Sequence, residues 1–222
     1  MTRVVLKLGG AVASESIGLA LAHHAAGDEV VVVHGAGPQI TAELRARGLG
    51  TRFVRGRRYT DPAALAVVRE SLVAVGAGLT TALGAVALHL VGDEIGLAAA
   101  PLVELGLVGQ PIPCAPAAVE QALAAGRITV VTPVAVGPLN VNADEAAAAL
   151  AAGLGAERLI FVSDVRGVYV DGGVARELRA DAADELLAAG AFEGGIVPKL
   201  LAAARAARLG IAAEIGETAV VA

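Results

Sequence analysis

Val30-Val31-Val32-Val33-His34-Gly35-Ala36-Gly37-Pro38 decides the fold class of this chain. Four consecutive valines show no polar alternation, the pattern of a strand covered on both faces. Glycines then turn the chain, and Pro38 stands where the first turn of a helix accepts it. A strand that passes at once into a helix is the building unit of a parallel sheet. The unit repeats. Residues 4–8, 87–91, 128–131, 158–162, 168–170, 212–215 and 219–221 read as strands. Residues 14–26, 38–47, 117–125, 144–154, 182–189 and 198–209 read as helices. Asp61 as N-cap and Pro62 at the first helical position begin another, predicted to run to Val75, bend at Gly76 and Gly78, and resume to Ala87. Residues 53–59 read as extended, 92–94 as a turn and 103–113 as two short strands. The expected architecture is α/β: a three-layer αβα sandwich with a mainly parallel central sheet. Proline, glycine and polar residues gather at 132–140, dividing an N-terminal lobe, 1–132, from a C-terminal lobe, 133–222.

Composition narrows the function. Of 222 residues, 56% are apolar but only 2% aromatic, so the core is aliphatic. With no Trp and few Tyr or Phe, binding of single-stranded nucleic acid by base stacking is disfavoured. A net charge of −5 does not suit a polyanion binder, so any phosphate is held locally by backbone N–H groups and a few cations. The single Cys114 forms no intrachain disulfide, and no Cys/His metal spacing exists. The chain enters its first strand after Met1-Thr2-Arg3, so secretion is not expected. Residues 72–91 contain no Asp, Glu, Lys or Arg and are long enough to span a bilayer. Their glycines, threonines and His89 suit a helix buried between the sheet and a partner chain better.

The chemistry gathers in a few polar residues. Asn140-Val141-Asn142-Ala143-Asp144 places two amides and a carboxylate before an alanine-rich helix. Lys7 lies in an apolar strand followed by Gly9 and Gly10; a buried lysine needs a partner, and ligands bind at strand ends in open α/β sheets. Lys199 follows Gly194-Gly195-Ile196-Val197-Pro198. The 34–38 loop reads equally as a tight βα turn or as an anion site at a helix N-terminus. It lacks the third glycine of a dinucleotide fingerprint, and no Walker-type loop exists. His34 reads as a hydrogen-bonded spacer rather than a base. Arg55, Arg57 and Arg58 form either a solvated loop or a carboxylate clamp. Residues 163–167 form either a strand-end turn or a nucleotide contact. Two lysines, one organising acid and flexible backbone at phosphate-sized gaps suggest phosphoryl transfer.

In sequence order, Lys-Leu-Gly-Gly at 7–10, His-Gly-Ala-Gly-Pro at 34–38, Gly-Arg-Arg-Tyr-Thr-Asp at 56–61 and Leu-Gly-Leu-Val-Gly at 105–109 resemble landmarks of the amino acid kinase family. So do Asn-Val-Asn-Ala-Asp at 140–144, Ser-Asp-Val-Arg-Gly-Val at 163–168 and Gly-Gly-Ile-Val-Pro-Lys at 194–199. The fifth and seventh motifs point to its acetylglutamate branch. The resemblance implies the carbamate kinase-like fold and transfer of the ATP γ-phosphoryl group to the γ-carboxylate of N-acetyl-L-glutamate, the second step of arginine biosynthesis. That carboxylate is already ionised at neutral pH, so no general base is needed. The resemblance gives Lys7 and Lys199 the transferring charge, and Asp144 the task of holding both. It gives Gly9, Gly10, Gly35, Ala36 and Gly37 to phosphoryl and carboxylate oxygens. Arg58, Asn140 and Asn142 would take the acceptor, and Asp164, Val165, Arg166, Gly167, Val168, Gly194 and Gly195 the nucleotide. Mg2+ would arrive on the ATP phosphates, with no protein cage of its own.

The sequence also departs from the family. Gly-Ala-Gly replaces a triple glycine, and the methyl of Ala36 either crowds the acceptor or stiffens the loop. The chain lacks the N-terminal helix and the last C-terminal segment of some members. A cytoplasmic homodimer without arginine feedback is therefore expected, paired through the apolar 65–88 segment. Two other readings compete: a kinase of carrier-protein-linked glutamate or aminoadipate, decided by pocket size, and an inactive effector-binding regulator on the same fold.

Overall fold

The computed structural model describes residues 1–9, 14–54, 56–162 and 165–222. Its elements are β1 (Arg3–Leu8), α1 (Ser14–Ala25), β2 (Glu29–His34), α2 (Gly37–Ala46), the hairpin strands β3 (Phe53–Val54) and β4 (Arg57–Arg58), α3 (Pro62–Leu83), β5 (Ala87–Val91), α4 (Gly92–Ile95), β6 (Ala99–Pro101), β7 (Val108–Pro111), α5 (Ala117–Ala124) and β8 (Ile128–Thr132). Then follow β9 (Val134–Ala135), β10 (Leu139–Val141), α6 (Ala143–Gly153), β11 (Arg158–Val162), β12 (Tyr169–Val170), β13 (Gly173–Val174), β14 (Glu177–Arg179), α7 (Ala180–Ala188), α8 (Ile196–Arg208), β15 (Ala212–Ile215) and β16 (Thr218–Val221).

Eight strands form the central sheet in the order β14-β16-β15-β11-β1-β2-β8-β5. Every neighbouring pair is parallel except β15 with β16. A smaller sheet, β6-β7-β10-β9, packs its β7 against α6 and its β10 against α3. The segment expected to separate two lobes carries β9 and β10 of this smaller sheet.

Strand parity sorts the core. Alternate residues of a strand face opposite sides. On β1, Val4, Leu6 and Leu8 join Ala20 of α1 and Leu79 and Leu83 of α3. Val5 faces the other layer, with Ala146, Ala147 and Leu150 of α6. Lys7 shares the parity of Val5, so its side chain belongs to the α6 side.

Three local expectations change. Helix α3 runs unbroken through Gly76 and Gly78. Gly76 is there for space: a Cβ would lie 2.3 Å from His89 Nε2, 2.8 Å from Thr132 Oγ1 and 2.9 Å from His34 Nε2. Residues 103–113 form a 3-10 turn (Val103–Leu105) and one strand, not two strands. Residues 92–94 belong to the short helix α4, and Gly92 packs where any side chain would strike the carbonyl oxygen of Val134. The expected start of α3 holds: Asp61 Oδ1 accepts from Ala64 N–H at 2.8 Å. Residues 53–59 fold back on themselves as a hairpin, with Gly56 at φ +76° in the turn. The stretch Pro62–Val86 is long and apolar enough to cross a membrane, yet it packs on the sheet through Leu79 and Leu83 and on α2 through Val67, Val68 and Leu72.

Candidate active site

The parity of β1 carries Lys7 to the first turn of α6. Asn142 caps that helix, its Oδ1 accepting from the N–H groups of Asp144 at 2.8 Å and Glu145 at 3.1 Å. A capped helix N-terminus favours a carboxylate through its exposed N–H groups and its dipole. Asp144 uses that place, and Lys7 Nζ lies 2.8 Å from its Oδ1. Both residues are 5% exposed. A pair this buried is held by its own complementarity, since either charge alone would be costly there.

The anion loop stands beside it. Gly35 N–H donates to Leu8 O at 3.0 Å, extending the β1–β2 ladder, so that amide has no proton left for phosphate. Gly37 opens α2, where an N–H has no helical acceptor. Nothing lies within 4 Å of a Cβ built on Gly37. Ala36 is 2% exposed, packed with Ile40, Leu44 and Val134, at φ −146°. Its methyl is part of the core.

Beneath the loop, His34 is fully buried. Its Nε2 lies 3.3 Å from Thr132 Oγ1, and His89 Nε2 lies 2.8 Å from the same hydroxyl. Burial, with the charges of His89 and Lys7 adding to it, pushes the His34 pKa down to about 4. His34 is a neutral hydrogen-bonding support, as the spacer reading expected.

Arg58 is 8% exposed. Its Nη2 donates to Thr41 Oγ1 of α2 at 2.8 Å, and its guanidinium stacks 4.7 Å from the centre of the Phe53 ring. Its Nη1 is buried with no partner among the described residues. Burial lowers its pKa from the ordinary arginine value. Asn140 Nδ2 donates to Thr60 Oγ1 at 2.9 Å, and Thr60 Oγ1 donates to Arg58 O at 2.9 Å. Thr60 thus ties Asn140 to Arg58. Neither Thr41 nor Thr60 was singled out from sequence, although Thr60 stands inside the 56–61 motif.

Gly194 has φ +66°, a conformation that favours glycine, and Gly194 and Gly195 line a cleft of about 950 Å³ with Asn142, Val54 and Arg57. Lys199, on the first turns of α8, donates to Gly195 O at 3.0 Å. Among the described residues the ion pair of Asp144 is with Lys7. Val168 packs in the core. Its side chain is fully buried, its N–H donates to Thr218 Oγ1 at 2.8 Å and its carbonyl accepts from Ala175 N–H at 2.9 Å. Gly167 is a packing glycine, since a Cβ would lie 2.6 Å from Val174 Cγ1. Arg166 is exposed and bonded to Glu217 at 2.6 Å. Val165 is exposed. Gly9 is open, with Val162 O at 4.0 Å from a built Cβ. Gly10 and Asp164 lie outside the described residues. Among the described residues no cluster of His, Cys, Asp or Glu suits a metal ion.

An acetylglutamate kinase from Saccharopolyspora erythraea is 40% identical over 235 residues, covering 94% of this chain and 77% of that protein. The crystal structure of smu.665 from Streptococcus mutans superposes with a TM-score of 0.90 at 25% identity, covering 99% of this chain and 98% of that one. Carbamate kinase from Giardia lamblia bound to AMP-PNP superposes at 0.72 with 16% identity, covering 99% and 98%, a likeness of fold alone. The family model described as "Amino acid kinase family" matches residues 2–217, and this chain belongs to that family.

Proposed function

We propose that this protein transfers the γ-phosphoryl group of ATP to the γ-carboxylate of N-acetyl-L-glutamate. The observation that carries the reading is the buried Lys7–Asp144 pair beside the α2 N-terminus, in a chain 40% identical to an acetylglutamate kinase over nearly its whole length. The obstacle to this reaction is repulsion between two anions, not a missing proton acceptor. Lys7, fixed by Asp144, offers its ammonium to the oxygens that gain charge as the phosphoryl group moves. Gly9 and the Gly37 N–H receive the same oxygens. The free Nη1 of Arg58 takes the acceptor's α-carboxylate, and Asn140 and Asn142 the acetylamino group. Lys199, Gly194 and Gly195 hold the nucleotide phosphates, which carry magnesium; bound there, the ion neutralises phosphate charge.

The exposed face of α3, with Ala66, Ala74, Ala77, Gly78 and Ala82, supports a homodimer through residues 65–88, since small side chains let two backbones approach. With ATP as donor, a cytoplasmic setting is part of the proposal.

The deciding experiment supplies Mg-ATP with N-acetyl-L-glutamate, free glutamate or aspartate, and traps acyl phosphate with hydroxylamine. Hydroxamate formed from the acetylated substrate alone is the expected result. Hydroxamate from none of the three, with ATP still bound, would overturn the reading.

A further inference from the structure

Arg57 and Arg58 are adjacent on β4, and strand parity sends them opposite ways. Arg58 reaches Thr41 on α2, the helix of the anion loop. Arg57 reaches the other side, where its Nη2 donates to Gln110 Oε1 of β7 and to Glu145 Oε1 of α6. Glu145 is the neighbour of Asp144, which holds Lys7. One two-residue strand is therefore pinned between the helix of the anion loop and the helix of the organising acid. Arg57 Nη1 and Glu145 Oε2 are both buried, and neither has a partner among the described residues. Arg57, Gln110 and Glu145 line the same 950 Å³ cleft as Asn142, Gly194 and Gly195.

We infer that Glu145 and Arg57 are positioning residues that fix the hairpin, and with it Arg58, against the acceptor. The inference rests on the acetylglutamate reading of the site. Neither residue needs to touch substrate. Their charges cancel while the hairpin is seated. If Arg57 withdraws, a carboxylate is left partly buried beside Asp144, in a cleft meant for anions, so the seated position is favoured. Burial already raises the Glu145 pKa; the charged groups acting on it are Arg57 and Arg205, which lower it, and Asp144, which raises it, with a small lowering from Gln110.

The test compares Arg57→Ala, Glu145→Gln and the double variant Arg57→Ala/Glu145→Ala in steady-state kinetics from pH 6 to 8.5. It adds hydrogen exchange at the hairpin amides of Phe53, Val54, Arg57 and Arg58. Arg57→Ala is expected to raise the acceptor KM on the order of 10–100-fold, with a smaller fall in kcat. In that variant KM should fall again towards pH 6, as the abandoned Glu145 takes up a proton; the parent should lack this slope. Removing Glu145 as well should abolish the slope and restore part of the affinity. Hairpin amides should exchange faster in Arg57→Ala and Glu145→Gln. KM within twofold of the parent in both single variants, with unchanged exchange, would overturn the inference, as would a double variant worse than Arg57→Ala. If Arg57→Ala does not fold, the isosteric Glu145→Gln decides by the same two readouts. A parent protein that forms no acyl phosphate would sink the functional reading, and hairpin exchange would still decide the latch.

Discussion

Consider removing the carboxylate of Asp144. At 2.8 Å, with both partners 5% exposed, the attraction to Lys7 is on the order of 6 kcal/mol at an effective dielectric constant near 20. Much of that is offset by the cost of drying two charges, but the cost remains when only one partner is removed. Asp144→Ala leaves Lys7 buried without a counter-charge and should destabilise the fold by about 3–5 kcal/mol. For a chain of this size that lowers Tm by about 6–20 °C. Lys7→Met/Asp144→Ala removes both charges and should regain most of the loss, because an apolar pair of similar volume is nearly neutral. Activity should behave differently. Either single change should lower turnover by about 10²–10³, and the double variant should recover none of it, since transition-state charge is then unopposed. Differential scanning calorimetry and acyl-hydroxamate formation separate the two effects. A double variant as unstable as Asp144→Ala, or one that regains turnover, would refute this account of the pair.

Arg58→Lys keeps the charge but not the forked donor that contacts Thr41 and leaves Nη1 free, so the acceptor KM should rise about 10–100-fold, read by steady-state kinetics. Gly76→Ala places a methyl against His89, Thr132 and His34 and should destabilise by about 1–3 kcal/mol in thermal unfolding; a neutral result would show that the three side chains can move aside. His34 titrates near 6.5 when unfolded and at about 4 when folded, so the unfolded state binds the extra proton between those values. Its contribution is complete above pH 6.5, declines as pH falls through this window and is gone below pH 4, a change of roughly 3 kcal/mol. His34→Gln should flatten that part of a urea-denaturation profile, and a slope unchanged from the parent would exclude the buried-neutral assignment.

The α/β class was legible because the strands of a doubly covered sheet are unbroken apolar runs, as at Val30 to Val33. The need for a partner at Lys7 was legible because a lysine in such a run must reach a carboxylate, a phosphate or solvent; that the partner is Asp144 was implied only by the family resemblance. The short strands were not, since β9, β10 and β14 are two or three residues long and give no period to read. Gly76 misled because a glycine that breaks a helix and one that makes room for two imidazoles look alike in sequence. Val168 was singled out only by its motif; its N–H and carbonyl bonds to Thr218 and Ala175 come from residues far along the chain or across a turn, which no local pattern announces. Arg57 was read as part of a solvated loop or a carboxylate clamp, not as a partner of Gln110 and Glu145, because these lie 53 and 88 residues away.

Alanine has no rotamers to lose when it is buried. Where α6 packs on α8, the buried residues include Ala146, Ala147, Ala148 and Ala151 on one helix and Ala202, Ala203 and Ala206 on the other. A seam of methyl groups has no side-chain slack, so sliding one helix along the other would lose contact at every step. Asp144 and Lys199 stand on the first turns of these two helices. The spacing of their backbones is thus set by how closely these two alanine-rich helices pack, not by the rotamers of larger side chains between them.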